Sequence, residues 1–119
     1  MGLKIYTESN TSSRKAVKWL NENNIAFHEI RMKNGTLSKQ EVKTLLAFTD
    51  NGLSDLLKRT VQTNFDELTL NQALDFLIND TSKLRSPILL DGEKLRVGYQ
   101  EEELACFIHQ PSEKLARII

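Results

Sequence analysis

The chain has 119 residues, of which 39% are hydrophobic and 27% are charged, as is ordinary for one globular domain with a real core. Sixteen basic residues balance sixteen acidic ones, which argues against nucleic-acid binding through bulk positive charge. The single cysteine, Cys106, excludes an intrachain disulfide, and no apolar run approaches the roughly 20 residues that span a membrane. We expect one cytoplasmic domain over residues 1–119, with no membrane segment.

The first third of the chain predicts a strand, a helix and a second strand. Residues Leu3–Thr7 alternate apolar and polar side chains, as a half-buried strand does. A helix then runs to about Asn24, and Ile25–Met32 read as the next strand. Two strands joined through a helix by short links predict a parallel, right-handed βαβ unit.

The first helix has several candidate caps and one apolar face. A side-chain oxygen before a helix accepts hydrogen bonds from the unpaired N–H groups of its first turn, and three residues could supply it: Asn10, Thr11 or Ser12. Helical spacing places three apolar residues on the inner face, with Trp19 on the flank: Ala16, Val17 and Leu20.

The middle of the chain, residues 34–83 approximately, carries helical signals and no convincing strand. Ser38-x-x-Glu41 and Thr69-x-x-Gln72 are capping boxes, each ahead of apolar residues at helical spacing. Between them, Asn51-Gly52 is a turn dipeptide, followed by a short helical piece over Leu53–Leu57. We therefore expect a helical insert of roughly fifty residues in the sheet.

The last third predicts two more strands and a helix. Pro87–Leu90 is a continuous apolar run, typical of a strand buried on both faces. Asp91-Gly92 predicts a hairpin turn into a strand over Glu93–Val97. A final helix over Gln100–His109 would bury Leu104, Ala105 and Ile108. The order β-α-β, helical insert, β-β-α predicts an α/β protein with the thioredoxin-like fold.

Several segments resemble, in order and spacing, the Spx/MgsR transcription regulators and the related ArsC arsenate reductases. They run from about residue 3 to 108: Ile5-Tyr6-Thr7, Asn10–Ala16, Trp19-Leu20, Thr49–Gly52, Pro87–Asp91 and Val97–Glu103. The spacing between the first loop and Gly52, and the Val-Gly-Tyr segment near the end, favour Spx over the reductases. The resemblance implies an ArsC/Spx-like domain and a cis peptide bond before Pro87.

The resemblance also shows which chemical groups are missing. The Cys-x-x-Cys switch of Spx proteins maps onto Asn10 and Ser13, and the reductase cysteine maps onto Asn10. The arginine that commonly precedes the strand proline is replaced by Ser86, although Arg85 beside it is retained. An amide and an unactivated hydroxyl form no disulfide and are poor nucleophiles near neutral pH. We therefore expect no catalysis and no response to oxidation.

Two functions remain open on this basis. The resemblance implies a regulator that binds the C-terminal domain of the RNA polymerase α subunit through the surface around Gly52, with DNA contacted only through polymerase. Whether such a protein activates transcription or occupies polymerase without activating it stays open. The alternative is an ArsC-like arsenate reductase or a degenerate anion-binding oxidoreductase, whose anion would lie at the start of the first helix among Thr11, Ser12, Ser13, Arg14 and Arg85.

No metal or other cofactor is expected. His28 and His109 are isolated in the sequence and lack the spacing of metal ligands. Cys106 lies among apolar residues of the last predicted helix, where a structural thiol is the simplest interpretation.

Overall fold

A computed structural model describes residues 2–59, 61, 67–92 and 94–108. The strands are β1 Leu3–Thr7, β2 Phe27–Arg31, β3 Ile88–Asp91 and β4 Lys94–Val97, and the helices are α1 Thr11–Glu22, α2 Lys39–Ala47, α3 Leu70–Asn79 and α4 Glu101–Ile108. Short 3₁₀ turns occupy Gly52–Asp55 and Thr81–Lys83. The side chains of Cys106 and Ile108, and all of His109, lie outside the described residues, so the expectations for them stay predictions.

The four strands form one mixed sheet in the order β2-β1-β3-β4. β1 and β2 are parallel, as a βαβ unit requires, whereas β3 is antiparallel to both β1 and β4. Ile5 lies opposite Glu29 on one side and Leu89 on the other. The observed order of elements confirms the α/β plan predicted from the sequence.

Strand β3 lies inside the sheet and contributes to the core on both faces. Leu89 packs on one face with α1 and α4, in a buried cluster made of Leu3, Ile5, Ala16, Trp19, Leu20, Leu89, Leu104 and Phe107. Ile88 and Leu90 point to the other face, where they join buried residues of the insert that include Val42, Leu45, Leu56, Leu74, Leu77 and Leu84. The continuous apolar run is therefore explained by burial on two sides.

Both predicted capping boxes are present. Ser38 Oγ accepts from Glu41 N at 3.0 Å, while Glu41 Oε1 accepts from Ser38 N at 3.0 Å. Thr69 and Gln72 repeat the arrangement at 3.2 and 2.9 Å. Each box satisfies N–H groups that the first helical turn leaves unpaired, so the starts of α2 and α3 are set by local sequence.

The predicted faces of two helices are partly wrong. Trp19 is buried, with 9% of its surface exposed, whereas Val17 is only half-buried beside the same cluster. In α4, Phe107 joins Leu104 in the core and Ala105 is half-buried. Helical spacing is compatible with burial of either residue of each pair. Trp19 and Phe107 are the buried ones because their rings bury more apolar area than Val17 and Ala105 do.

Strand β2 begins at Phe27, two residues later than the apolar pattern suggested. After α1, Asn24 adopts a left-handed φ of 55°, and Ile25 N donates to Leu20 O at 3.0 Å. Asn24 N donates to Asn21 O at 3.1 Å, which completes a Schellman-type helix end. Ile25 is thus used to close the helix and is not available to the sheet.

The insert is attached to the segment that precedes β3. Leu57 and Leu84 form an antiparallel bridge, flanked by hydrogen bonds from Arg85 N to Leu56 O at 2.7 Å and from Lys58 N to Lys83 O at 3.0 Å. Leu56 and Leu84 are fully buried. This pairing places the residues that follow the 3₁₀ turn Gly52–Asp55 next to the residues before Pro87.

In the described part of the chain, no helix has the length and apolar character that crossing a bilayer requires.

Candidate functional site

The loop between β1 and α1 is the place where the sequence resemblance leads us to expect a reactive group. Of the three candidate caps, Asn10 is the one used: its backbone is extended (φ −145°, ψ 168°) and its Oδ1 accepts from Ser13 N at 2.8 Å. Thr11 already lies inside the helix. Asn10 and Ser13, the positions at which the resemblance leads us to expect cysteines, are thus joined by a helix-capping hydrogen bond.

The same two residues belong to a closed hydrogen-bonded ring, which we call the Asn10 ring. Asn10 Nδ2 donates to Ser86 Oγ at 2.6 Å, and Ser86 Oγ is 3.4 Å from Glu8 Oε1, to which it donates. Ser13 Oγ accepts from Glu8 N at 3.1 Å, and Ser13 is only 2% exposed. The polar groups of the loop therefore satisfy one another, as groups with little access to water must.

The Asn10 ring connects α1 to the start of β3. The Ser86–Pro87 peptide bond is cis, and Pro87 O accepts from Gly98 N at 2.8 Å. Ser86 thereby stands between the capped helix and the strand. Its short side chain leaves the hydroxyl within reach of both Asn10 and Glu8.

Glu8 places a carboxylate beside the helix start. Only 13% of its side chain is exposed, and Lys58 Nζ lies 3.7 Å from its Oε1. Burial raises the pKa of Glu8, while the Lys58 charge and the Ser86 hydrogen bond act in the opposite direction. A carboxylate at this position opposes the binding of a further anion, since like charges repel strongly where water is scarce.

The structure brings some of the predicted anion-binding residues together and separates others. Thr11 and Ser12 are exposed at the start of α1, and Arg14 Nη2 is 3.4 Å from Thr11 Oγ1. Ser13 is buried and its hydroxyl is already engaged with Glu8 N. Arg85 does not line the cleft that Ser13 and Arg14 line. It lines a different one.

Arg14 and Ser13 border an open cleft of about 400 Å³ between α1 and the carboxyl ends of β1 and β2. Its charged lining contains both acidic and basic side chains. One pair of opposite charges lies close together, with Arg31 3.8 Å from Glu29. Thr7, at the end of β1, donates to Glu29 Oε2 at 2.7 Å. Within the described residues the cleft is thus a mixed-charge surface and not a basic anion pocket.

Gly52 lies on a separate surface, at the start of the 3₁₀ turn Gly52–Asp55, which we call the Gly52 turn. Its φ is 77°, a region that favours glycine, and a Cβ built on it would meet no atom within 4 Å. Gly52 N donates to Thr49 Oγ1 at 3.1 Å. Arg85 lines the cleft beside this turn, together with Asp50 and Asp55. The second predicted site and the retained arginine are therefore neighbours.

No sequence pattern singled out Glu8 or Lys58. Their ion pair joins residues 50 positions apart, and Glu8 meets Ser86 across 78 positions. No local spacing predicts such pairs. Among the described residues, no group of three or more His, Cys, Asp or Glu side chains could hold a metal ion.

The ArsC family model matches residues 6–107. A curated relative named "Global transcriptional regulator Spx" from Lactiplantibacillus plantarum is 38% identical over 111 residues, covering 87% of this chain and 84% of that protein. A relative of the same name from Streptococcus mutans is 30% identical over 104 residues, covering 82% of this chain and 76% of that protein.

Solved structures share the fold at lower identity. An arsenate reductase from Vibrio cholerae superposes with a TM-score of 0.73 at 18% identity, covering 88% of this chain and 96% of that chain. A possible arsenate reductase from Streptococcus mutans gives 0.68 at 20% identity, covering 87% and 97%. These likenesses establish an ArsC-like, thioredoxin-like fold and nothing about activity.

Proposed function

The chain belongs to the ArsC family, and from that premise we propose that it is a redox-insensitive transcription regulator of the Spx type. Its partner is the C-terminal domain of the RNA polymerase α subunit, and it contacts DNA only as part of the polymerase complex. The proposal includes a cytoplasmic location, where that partner resides. It draws on relatives named as global transcriptional regulators along most of the chain.

The observation that carries this proposal is the Asn10 ring. Where a thiol pair or a catalytic cysteine would be needed, Asn10 and Ser13 are bonded to each other, to Ser86 and to Glu8. Neither side chain can be oxidised to a disulfide or form a thiol adduct with an oxyanion. A family member that lacks the reactive thiols can still act by binding another protein through its surface.

The surface that supports docking is the Gly52 turn. A side chain at Gly52 would extend outward, because no atom lies within 4 Å of its Cβ position. A bulky residue there would hold a partner away without disturbing the interior. Gly35 offers a matched control, since it has φ 82° and equally open space at a different site.

The direct experiment measures binding of purified α C-terminal domain by calorimetry. Wild type should bind, Gly52→Arg should weaken binding by at least about tenfold through steric exclusion, and Gly35→Arg should bind like wild type. Both variants carry the same left-handed backbone strain, of roughly 1–2 kcal/mol, so a difference between them reports on the surface. Absence of wild-type binding at high micromolar concentration, or equal binding by Gly52→Arg, would remove the proposal.

Redox insensitivity is tested in the same assay. The affinity measured after treatment with a thiol oxidant should equal that measured in reductant, because the Asn10 ring contains no sulfur. Cys106→Ser removes the remaining thiol of the chain and should change neither value. An oxidant-dependent affinity of the wild type that Cys106→Ser abolishes would contradict the proposal.

The alternative function is enzymatic, as an ArsC-like arsenate reductase or an anion-binding oxidoreductase. It is favoured by the start of α1, where Thr11 and Arg14 lie together at the end of a helix that attracts anions. Assays with arsenate and either glutathione or thioredoxin should show no turnover. Turnover that Ser13→Ala abolishes would establish the alternative in place of the regulator.

A further inference from the structure

A cleft of about 300 Å³, which we call the Arg96 cleft, lies between the Gly52 turn and the edge strand β4. Its apolar lining comes from half-buried residues, Phe48, Leu95 and Val97, and its charged lining comes from Asp50, Asp55, Arg85 and Arg96. Asp50 and Asp55 flank Gly52 in the chain. A protein that covers Gly52 would therefore extend over this cleft.

Arg96 has a buried donor that nothing in the described part of the chain satisfies. Its Nε atom is buried and has no hydrogen-bond partner among the described residues. The other end of the guanidinium is engaged, because Arg96 Nη2 pairs with Glu103 Oε1 on α4. A buried N–H without an acceptor is costly, so a group that brings an acceptor into the cleft gains the whole of that hydrogen bond.

Arg85 adds a second guanidinium at the rim. It is exposed, and within the described residues its side chain forms neither a hydrogen bond nor an ion pair within 4 Å. Its charge is close enough to help hold the pKa of Asp55 below its usual range, after hydrogen bonds from Asn51. Two arginines, one before β3 and one on β4, thus line the same cleft.

The acidic groups of the cleft do not use these donors. The Asp55 carboxylate accepts from Asp50 N at 3.0 Å and from Asn51 N at 2.9 Å, which commits it to the Gly52 turn. The Asp50 side chain is exposed and makes no hydrogen bond or ion pair with either arginine. Among the described residues, neither carboxylate of the cleft accepts from Arg96 Nε, while Asp50 adds a nearby negative charge.

We propose that the Arg96 cleft binds a carboxylate side chain of the protein that docks on Gly52, with Arg96 Nε–H and the Arg85 guanidinium donating to its oxygens. This inference rests on the proposed function. A carboxylate is the acceptor that matches guanidinium geometry and charge, and a polar anchor set among apolar residues is typical of an interface centre. Asp50 opposes the incoming charge and so limits the affinity.

The test measures calorimetric affinity for the α C-terminal domain with four variants. Arg96→Gln should weaken binding about tenfold. Arg85→Gln should weaken it only about threefold, because Arg85 is exposed. Asp50→Asn should bind at least as tightly as wild type, because it removes the repulsion. Glu103→Gln breaks the same ion pair as Arg96→Gln without altering the cleft, and should stay within about twofold of wild type. Thermal unfolding verifies that each variant is folded.

A double-mutant cycle identifies the acidic residue of the partner. The acidic surface residues of the partner domain are replaced in turn by their amides, and at one position the Arg96→Gln effect should disappear. Normal binding by Arg96→Gln and Arg85→Gln, with binding lost in Gly52→Arg, would overturn this inference and leave the proposed function standing. Weaker binding by Asp50→Asn would also overturn it. If wild type itself does not bind, both fall.

Discussion

The Asn10 ring makes a quantitative prediction about stability. Asn10→Ala removes the cap of α1, in which Oδ1 accepts from Ser13 N at 2.8 Å, and such losses cost about 1 kcal/mol. It also removes the 2.6 Å hydrogen bond to Ser86 Oγ, worth about 1 kcal/mol for a part-buried neutral pair. We expect the free energy of unfolding to fall by about 2 kcal/mol in total.

The assay is urea unfolding followed by Trp19 fluorescence, with Ser12→Ala as the control. Ser12 is exposed in the same turn and its hydroxyl makes no hydrogen bond within the described residues, so its variant should stay within about 0.5 kcal/mol of wild type. Ser86→Ala separates the two contributions, because it keeps the Asn10 cap and removes the acceptor of the Asn10 Nδ2 hydrogen bond. It should be destabilised by about 1 kcal/mol.

The coupling between Asn10 and Ser86 decides whether the ring acts as a unit. The double variant Asn10→Ala/Ser86→Ala should be more stable than the sum of the single losses predicts, by about 0.5 kcal/mol or more. Strict additivity, or a cost of Asn10→Ala no larger than that of Ser12→Ala, would refute the reasoning.

Two further predictions concern the same loop. Asn10→Cys/Ser13→Cys should form an intrachain disulfide under mild oxidation, because the two positions bracket the first turn of α1 as reactive Cys-x-x-Cys pairs do. Mass spectrometry after thiol alkylation measures it: only Cys106 should remain alkylatable, and alkylation of all three cysteines after oxidation would contradict it. Burial raises the pKa of Glu8 in the folded protein above its ordinary value of 4.5. Protonated Glu8 therefore contributes to the stability of the fold; this contribution is fully present below pH 4.5 and is lost as the pH rises through the folded pKa. The unfolding free energy of wild type minus that of Glu8→Gln should therefore decrease between about pH 4 and about pH 7, and an increase would show that the Lys58 ion pair outweighs burial.

Local signals in the sequence were sufficient for much of the fold. Ser38 and Thr69 each begin a helix as their capping boxes require, since both partners of the box lie three residues apart. Asp91-Gly92 joins two antiparallel strands, and Gly92 has the positive φ of 66° that such a turn needs. These features depend on neighbours in the chain, so they could be predicted without knowing the tertiary structure.

The contacts of the candidate site could not be predicted from the sequence. Its location at Asn10 and Ser13 came from the resemblance, but the contacts of Glu8, Lys58 and Ser86 join parts of the chain 50 to 78 residues apart. Arg85 was grouped with the helix start because it is close to Pro87 in sequence. Tertiary structure places its side chain at another cleft, since adjacent residues of an extended segment point in opposite directions.

The attachment of the insert limits how the proposed docking surface can evolve. Gly52 lies between Leu45 and Leu56, both of which are completely buried, so the turn is anchored to the interior on either side. Substitutions on its outer side leave the interior intact and can change partner preference, whereas an insertion or deletion would displace a buried leucine. New specificities in this lineage should therefore arise through single replacements at constant loop length.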